Sequence, residues 1–351
     1  METPKKVKVG AQALHAMVRD MFAAAGMEAA PAGVVADVLV WANLRGVDSH
    51  GIARVPRYLE MFASGEAAAR AAMETQRLRP GVLMVHAKGA PGPVALTHAV
   101  RQAMEIARET GVCWAAVRGT VHTGAIGYYT ELAAREGFAV IGLVAGVPNM
   151  AYTGSSVPAV ATSPVSIAMP SAAQPTPVLD MATAAIALGK IAQYKIAGKP
   201  LPEGSALDAD GVPTTDAAKA ETPLPMAGAK GAGLSLMLEL LCGVLTGNPI
   251  VTEYHTHTPE GERHRQNATF IVADVSAFQP PDRVRAMVDA TLDTLHGLPR
   301  SGADAILFPG ERGASTLAAR SASGIPLPMA SWKKLVADAE RLGVRPAALL
   351  D

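Results

Sequence analysis

Between Pro80 and Ala145 the chain switches repeatedly between a strand-like and a helical period, and neither an all-α nor an all-β fold accommodates that. Short β-branched runs at Val82–His86, Val112–Val117 and Val140–Ala145 are bounded by glycine and proline and read as strands. Between them, Val94–Arg108 and Ile126–Arg135 carry apolar residues at helical spacing. The alternation continues with strands at Val165–Met169, Pro177–Met181 and Thr269–Val275, and helices over Ala184–Ala197, Ala232–Leu245 and Asp282–Leu295. Pro200–Pro225 is rich in Pro, Asp and Thr without a period and reads as a long loop. The fold class is therefore α/β.

The two ends of the chain read differently. Leu14, Met17, Val18, Met21 and Phe22 mark a helix that stops at Gly26, and Pro31 opens a second helix ending near Leu44. A third is expected from Ser49 to Phe62, closed by Gly65, and a last one from Ser331 to Leu342 after a Gly-rich loop at Pro309–Gly313. The economical parse is a helical domain from residues 1–75 with 297–351 around an α/β domain of residues 76–296. No internal repeat is present.

Composition narrows the function classes. Lys+Arg and Asp+Glu both total 31 and aromatic residues make up 4% of 351, so neither a cationic surface nor stacking platforms for nucleic acid are expected. The apolar stretch Gly233–Gly247 is interrupted by Glu239 and falls short of the roughly 20 residues that span a bilayer. Met1–Gly10 is Lys-rich and lacks the apolar run of a signal peptide, so a cytoplasmic, reducing setting is expected. Cys113 and Cys242 lie in apolar segments and read as buried, reduced structural residues.

Several clusters could carry chemistry. Asp48-Ser49-His50-Gly51 lies in a helix connection, and Arg54 follows four residues after His50. On a helix starting at Ser49, His50 and Arg54 share a face, offering an imidazole for a proton and a guanidinium for a carboxylate. An N-cap at Asp48 or Ser49 with a packed His50 explains the same residues. His122, in Val121-His122-Thr123-Gly124, falls between a strand and a helix, where α/β folds place ligands, and Thr123 or free backbone amides there could hold an anion. Ala229-Lys230-Gly231-Ala232-Gly233 opens an apolar helix and could cradle a phosphate, as could Pro309-Gly310-Glu311-Arg312-Gly313. Neither is a Walker motif, and no Gly-x-Gly-x-x-Gly follows a strand, which argues against a common Rossmann site. Asp180, at a strand end, could orient a histidine, bind ribose hydroxyls or simply cap the next helix. His255, His257 and His264 lack metal-ligand spacing, and Asp208-x-Asp210-Gly211 lacks the closing Glu of a calcium loop, so no metal is expected.

Taken in order, these segments resemble the malate/L-lactate dehydrogenase family of the second type, whose relatives include ureidoglycolate and sulfolactate dehydrogenases, diketogulonate reductase and piperideine/pyrroline-2-carboxylate reductases. The residues carrying the resemblance are Arg45-Gly46-Val47-Asp48-Ser49-His50-Gly51 with Arg54 and Tyr58, His122-Thr123-Gly124-Ala125-Ile126, and Val178-Leu179-Asp180-Met181-Ala182-Thr183. Gly189-Lys190, Asp210–Asp216 and Ala229-Lys230-Gly231-Ala232-Gly233-Leu234 complete the set. The resemblance implies a non-Rossmann NAD- or NADP-dependent oxidoreductase with a homodimeric active site, acting on a small-molecule carboxylate. It places cofactor contacts on Asp180, Met181, Ala182, Lys230, Gly231, Pro309, Gly310 and Glu311, with His122, Thr123 and Gly124 nearby. It also makes Arg54, Tyr58 and Thr162 substrate-binding residues. In the ureidoglycolate branch the residue matching His122 accepts the proton, whereas in the cyclic-imine branch Ser49 and His50 form the active pair and Asp180 its relay. Arg54 would then bind the carboxylate, His122 and His50 would exchange the hydroxyl proton, and Ser49 and Asp180 would orient them.

The chain departs from the family pattern in three places. It has Ala161-Thr162-Ser163-Pro164 where many members have Gly-Thr-Asn-Pro, Thr120-Val121-His122-Thr123-Gly124 where many have Ser-Asn-His-Phe-Gly, a change shared with the ureidoglycolate branch, and Gly146-Val147 where that branch has Ser-Asp. The expected function is hydride transfer at the α-carbon of a small 2-hydroxy or 2-oxo acid. The alternatives are a cyclic imino acid reductase, a ureidoglycolate-type dehydrogenase and a non-catalytic dinucleotide-binding protein.

Overall fold

The computed structural model describes residues 6–256 and 265–350. Strand β1 (Lys6–Val9) leads into helices α1 (Ala11–Ala24) and α2 (Ala29–Leu44). The five apolar residues that set the period of α1 are all buried, so that stripe is its packing face. Helix α2 is apolar nearly all round because it serves two cores. Val35 and Leu39 pack with Leu14 and Phe22, while Val38 belongs to the core under the main sheet.

The third helix starts later than expected. Asp48–His50 and Ile52–Arg54 are separate 3₁₀ turns, and α3 runs from Val55 to Ser64. The break falls at Gly51, where the Asn43 side chain accepts the Ile52 N–H at 2.8 Å. A Cβ on residue 51 would lie 2.1 Å from Asn43 Oδ1. The chain therefore bends around a buried amide, and the expected alignment of His50 and Arg54 on one helix face does not form.

Next come β2 (Glu74–Arg79), β3 (Val82–His86), α4 (Gly92–Thr110), β4 (Val112–Thr120), α5 (Gly127–Arg135) and β5 (Phe138–Gly146). A small hairpin of β6 (Met150–Ala151) and β7 (Pro158–Val160) precedes β8 (Pro164–Ala168), β9 (Val178–Ala182) and α6 (Leu188–Ala197). Within the expected loop lie three two-residue strands, β10 (Ala206–Leu207), β11 (Pro213–Thr214) and β12 (Thr222–Pro223). Helix α7 (Ala229–Glu239) widens into a π turn at Leu240–Val244, followed by α8 (Val251–Thr256), β13 (Gln266–Asp274) and α9 (Pro281–His296). The chain closes with α10 (Glu311–Ser323), β14 (Ile325–Pro328), α11 (Met329–Arg341) and β15 (Leu349–Leu350). Helix α10 escapes a sequence reading because none of its residues is fully buried and it has no apolar stripe.

The main sheet has the order β2-β3-β4-β13-β5-β8-β9. Only β3 and β4 are parallel neighbours, joined by α4, and every other pair is antiparallel. Strand β13 inserts between β4 and β5, which the strand–helix alternation alone would have paired. The register makes β3, β4, β5 and β9 run one way, so Thr120, Gly146 and Ala182 finish at the same edge of the sheet. Gln266, opposite Thr120 and Gly146, and Pro164, opposite Ala182, begin there. One face is sealed by α4 and α5 over Leu83, Val85, Val117, Val144 and Phe270. The other is partly covered by α7 over Leu143, Val165 and the buried, unpaired Cys242. Elements from both ends of the chain share one further core, in which Ile325, Trp332 and Leu335 join Leu14 and Phe22. No helix among the described residues is long and apolar enough to cross a membrane.

Candidate active site

The sheet edge gathers what the sequence disperses. The loop after β4 carries His122, β5 ends at Gly146, and β9 ends in Asp180, Met181 and Ala182. Parallel strand ends leave their loops free to meet ligands.

His122 is held from three sides. Its Nδ1 lies 2.7 Å from Tyr58 Oη and accepts the Gly124 N–H at 3.2 Å. Tyr58 Oη also reaches the His122 carbonyl oxygen at 3.2 Å. Gly124 adopts φ +70, a left-handed conformation that favours glycine, and this turn aims its amide at the ring. Gly92 sits directly beneath, where a Cβ would come within 2.4 Å of Thr123 Cα, so α4 supports the loop backbone to backbone. The expected free amides are in use. The Thr123 N–H goes to Gln266 Oε1 at 3.0 Å and the Gly124 N–H to the imidazole, while Thr123 itself is buried. Two of the amides offered to an anion, those of Thr123 and Gly124, instead hold the histidine loop in place.

The Ser49–Arg54 segment descends on the same place. The rings of His50 and His122 stack with centroids 5.6 Å apart and planes 24° apart. Ser49 Oγ lies 3.0 Å from His50 Nδ1, and Arg54 Nε donates to the Ser49 carbonyl at 2.7 Å. The other guanidinium nitrogens of Arg54 make no hydrogen bond among the described residues. Burial, helped by the Arg54 cation, lowers the His50 pKa to about 4, so this ring is neutral at ordinary pH. Burial pushes the Tyr58 hydroxyl well above the usual phenol range, against the opposing pull of Arg54. Tyr58 is buried in α3 with its hydroxyl against His122.

Strand β9 is the hub for the remaining candidates. Asp180 Oδ2 accepts the Gly127 N–H at 2.8 Å, tying β9 to the start of α5. The surrounding protein raises its carboxyl to about 6, opposed by that N–H and by Arg45. Asp180 makes no hydrogen bond to Ser49 or His50, so the expected relay to that pair is replaced by a backbone anchor. Ala182 pairs with Pro164, and the Thr183 N–H donates to the Thr162 carbonyl at 3.2 Å, which puts Thr162 beside the end of β9. Pro309 joins β9 through its carbonyl, which accepts the Val178 N–H at 2.9 Å, and the Gly310 carbonyl accepts Arg45 Nη2 at 3.0 Å.

Two loops expected to cradle phosphate have other uses for their polar groups. The amides of Lys230, Gly231 and Ala232 donate to the carbonyls of Ala227, Met226 and Gly228. Gly231 is required by packing, since a Cβ there would meet Met226 O at 2.4 Å and Thr183 O at 2.8 Å. This leaves the exposed Lys230 side chain as the cation of that corner. Glu311 is likewise engaged, its Oε2 accepting the Phe308 N–H at 3.1 Å and lying 2.9 Å from His296 Nε2. Asp180–Ala182 and the Pro309–Gly310 backbone lie along one strand, and near its end Lys230 presents an exposed cation, the one group of this set whose charge suits an anionic dinucleotide.

Four supporting residues were not foreseen. Buried Asn43 receives the Ile52 N–H and donates to Asp48 Oδ1 at 2.7 Å, and Arg320 of α10 grips Asp48 at 2.6 and 3.2 Å. Arg45 pairs with buried Glu131 at 3.5 Å, and Gln266 holds the Thr123 amide. Asn43 had a readable signal as the lone amide in an apolar run; Arg320 and Gln266 had none. His255 lies in α8 with Nε2 3.2 Å from the Ala159 carbonyl, and His257 and His264 fall outside the described residues. No cluster of metal-ligating side chains occurs among the described residues. Asp208 forms a turn, accepting the amides of Asp210 and Val212. An apolar hollow of about 390 Å³ lined by Met169, Pro177, Val284 and Met287 sits at the opposite end of β9 from the histidines.

Comparison with known proteins finds relatives along nearly the whole chain. The family description "Malate/L-lactate dehydrogenase" matches residues 9–336. Hydroxycarboxylate dehydrogenase B of Escherichia coli K12 is 32% identical over 95% of this chain and 94% of its own. Ureidoglycolate dehydrogenase (NAD(+)) of the same strain is 30% identical over 87% and 88%. The structure of sulfolactate dehydrogenase from Methanocaldococcus jannaschii superposes with a TM-score of 0.86 at 29% identity, covering 96% of this chain and 98% of that one.

Proposed function

The chain belongs to the malate/L-lactate dehydrogenase family, and from that premise we propose that it moves a hydride between NAD or NADP and the α-carbon of a small 2-hydroxy or 2-oxo acid. The observation that carries this reading is the stacked His50–His122 pair beside an Arg54 whose other guanidinium nitrogens make no hydrogen bond among the described residues, set at the sheet edge where β9 ends. The bound nicotinamide supplies or accepts the hydride.

The chain's own residues do the rest. Arg54, fixed through Nε, offers its remaining nitrogens to the substrate carboxylate. His122 exchanges the hydroxyl proton, which suits an imidazole near working pH. Neutral His50, oriented by Ser49, packs against it. Asp180, Met181, Ala182, Lys230, Pro309 and Gly310 hold the dinucleotide. The Ser49–His50 contact of 3.0 Å supports a second reading, in which that pair serves a cyclic imino acid reductase.

The proposed architecture is a non-Rossmann cofactor unit of residues 76–296 and a helical unit of residues 1–75 with 297–351. The antiparallel neighbours of β13 and the separate core shared by both chain ends support it. A homodimer is supported by a stripe of cross-strand neighbours, Trp114, Ile271, Ile141 and Ile167, that α7 leaves only partly covered. Absorbance at 340 nm tests the function against 2-oxo acids, 2-hydroxy acids and cyclic imino acids with each cofactor. Turnover of a 2-oxo or 2-hydroxy acid supports the first reading and turnover of imino acids alone the second. Cofactor binding with no turnover across the panel would favour a binding protein.

A further inference from the structure

Tyr58 is buried, yet its hydroxyl has two acceptors belonging to one residue. Oη is 2.7 Å from His122 Nδ1 and 3.2 Å from the His122 carbonyl oxygen. A hydroxyl has one hydrogen and can serve only one of them at a time. The Gly124 amide, 3.2 Å from the same Nδ1, can only donate. These contacts also fix the ring orientation, because turning the imidazole over would set a carbon against both Gly124 N and Tyr58 Oη.

We propose that Tyr58 acts through His122 as a two-position hydroxyl: it donates to Nδ1 while the imidazole is neutral at rest, and turns to the carbonyl oxygen when Nδ1 carries a proton. The proposal rests on His122 being the group that exchanges the substrate proton. At rest, the donors at Nδ1 place the ring's proton on Nε2. In the imidazolium, Nδ1–H needs an acceptor; Tyr58 Oη supplies it, and its own hydrogen moves to the carbonyl. When Nε2 then gives its proton to the reduced substrate oxygen, the ring is left neutral with Nδ1–H still bound to Oη. The proton lost from Nε2 is restored by solvent, which regenerates the imidazolium; the ring regains its resting tautomer when Nδ1–H is released to solvent and the hydroxyl turns back to Nδ1, and Tyr58 keeps its own proton throughout. The high pKa of the buried phenol is consistent with that last point.

His50 stacks on the ring from the 3₁₀ turn and is neutral, and the Arg54 cation acts on both His50 and Tyr58. Asp180, on the sheet side, accepts the Gly127 amide. Gly92 and Gln266, which pack on the loop, carry no charge. Oη, 2.7 Å from Nδ1, is a neutral group positioned to stabilise Nδ1–H. Tyr58 is a positioning residue in this scheme.

The test uses the full-length protein. In ¹⁵N-histidine spectra of the cofactor-free wild type, with His122 assigned by the signal lost in His122→Gln, neutral His122 should be protonated at Nε2 and bare at Nδ1. In Tyr58→Phe both tautomers should appear. The limb of the reduction profile that falls with rising pH should move about one unit lower, the scale of one hydrogen bond to a charged group, with KM for the dinucleotide unchanged. A wild-type ring protonated at Nδ1, or a variant with unaltered tautomer and profile, overturns the proposal. Should the variant fail to fold, the wild-type tautomer alone decides. Absence of turnover on any substrate would overturn the functional reading while leaving the tautomer measurable.

Discussion

His50 and His122 stack face to face, yet they are controlled by opposite means. His122 is governed by hydrogen bonds, with donors from α3 and from its own loop directed at one ring nitrogen. His50 is governed by its medium: burial and the Arg54 cation hold its pKa near 4, with the Ser49 hydroxyl as its local partner. A ring steered by hydrogen bonds can change protonation state in place, because its partners can reorient. A ring kept neutral by burial stays in one state over the working range. The difference favours the proposed division, with proton exchange at the sheet-borne histidine and shape at the one in the 3₁₀ turn.

Removing His122 should break the comparison most severely. His122→Ala is expected to lower turnover by about 10²–10⁴-fold while the NADH dissociation constant, read by fluorescence titration, stays nearly unchanged; equal turnover would return the proton to His50. Gly92→Ala comes next, because its Cβ would collide with Thr123 Cα and push the His122 loop from below. A stability loss of about 1–3 kcal/mol by urea unfolding and a marked loss of turnover are expected, whereas tolerance of the methyl would mean the loop is not braced by α4. On the His50 side, Asn43→Ala should cost about 1–3 kcal/mol by freeing buried partners of Ile52 and Asp48, and should raise KM for the acid substrate through the released Arg54 turn.

The smallest effects concern pH and sharpen the contrast. An unfolded His50 takes up a proton near 6.5 and the folded one only near 4. The wild type therefore loses stability through this group as pH falls from about 6.5 to about 4, and His50→Gln should flatten that part of a urea-midpoint profile. Asp180 acts in the opposite sense. Its folded pKa near 6 lies above the usual 3.8, so its contribution is present at low pH and is lost as pH rises through about 6. Asp180→Asn should remove that decline, and a profile identical to wild type would show that Asp180 titrates normally.

Much of the fold was legible because it is local. Strand and helix periods placed α1, α4, α5 and most strands of the sheet to within a few residues, since they reflect which side of an element meets a core. The insertion of β13 between β4 and β5 was not legible, for strand partners far apart in sequence leave no local trace. Nor was the break at Gly51, where a side chain eight residues earlier captures the amide that a helix would use. The candidate residues His50, Arg54, His122, Asp180 and Lys230 were readable as residue types in suggestive places. Some of the supporting residues were not, because Gln266 and Arg320 look like ordinary polar residues until the chain closes.

The amino-acid sequence by itself determined the element types, the buried stripes, the glycines that allow close approach and the set of titratable side chains. Only the tertiary structure decided which of those side chains meet and which backbone amides remain available. Tyr58 and His122 come together from different elements, and the amides of Thr123, Gly124, Lys230, Gly231 and Ala232 turned out to be spent internally. The physical reason is range. Propensity and periodicity act over a few residues, whereas a pKa, a tautomer or a free donor is set by whatever the folded chain brings within a few ångströms.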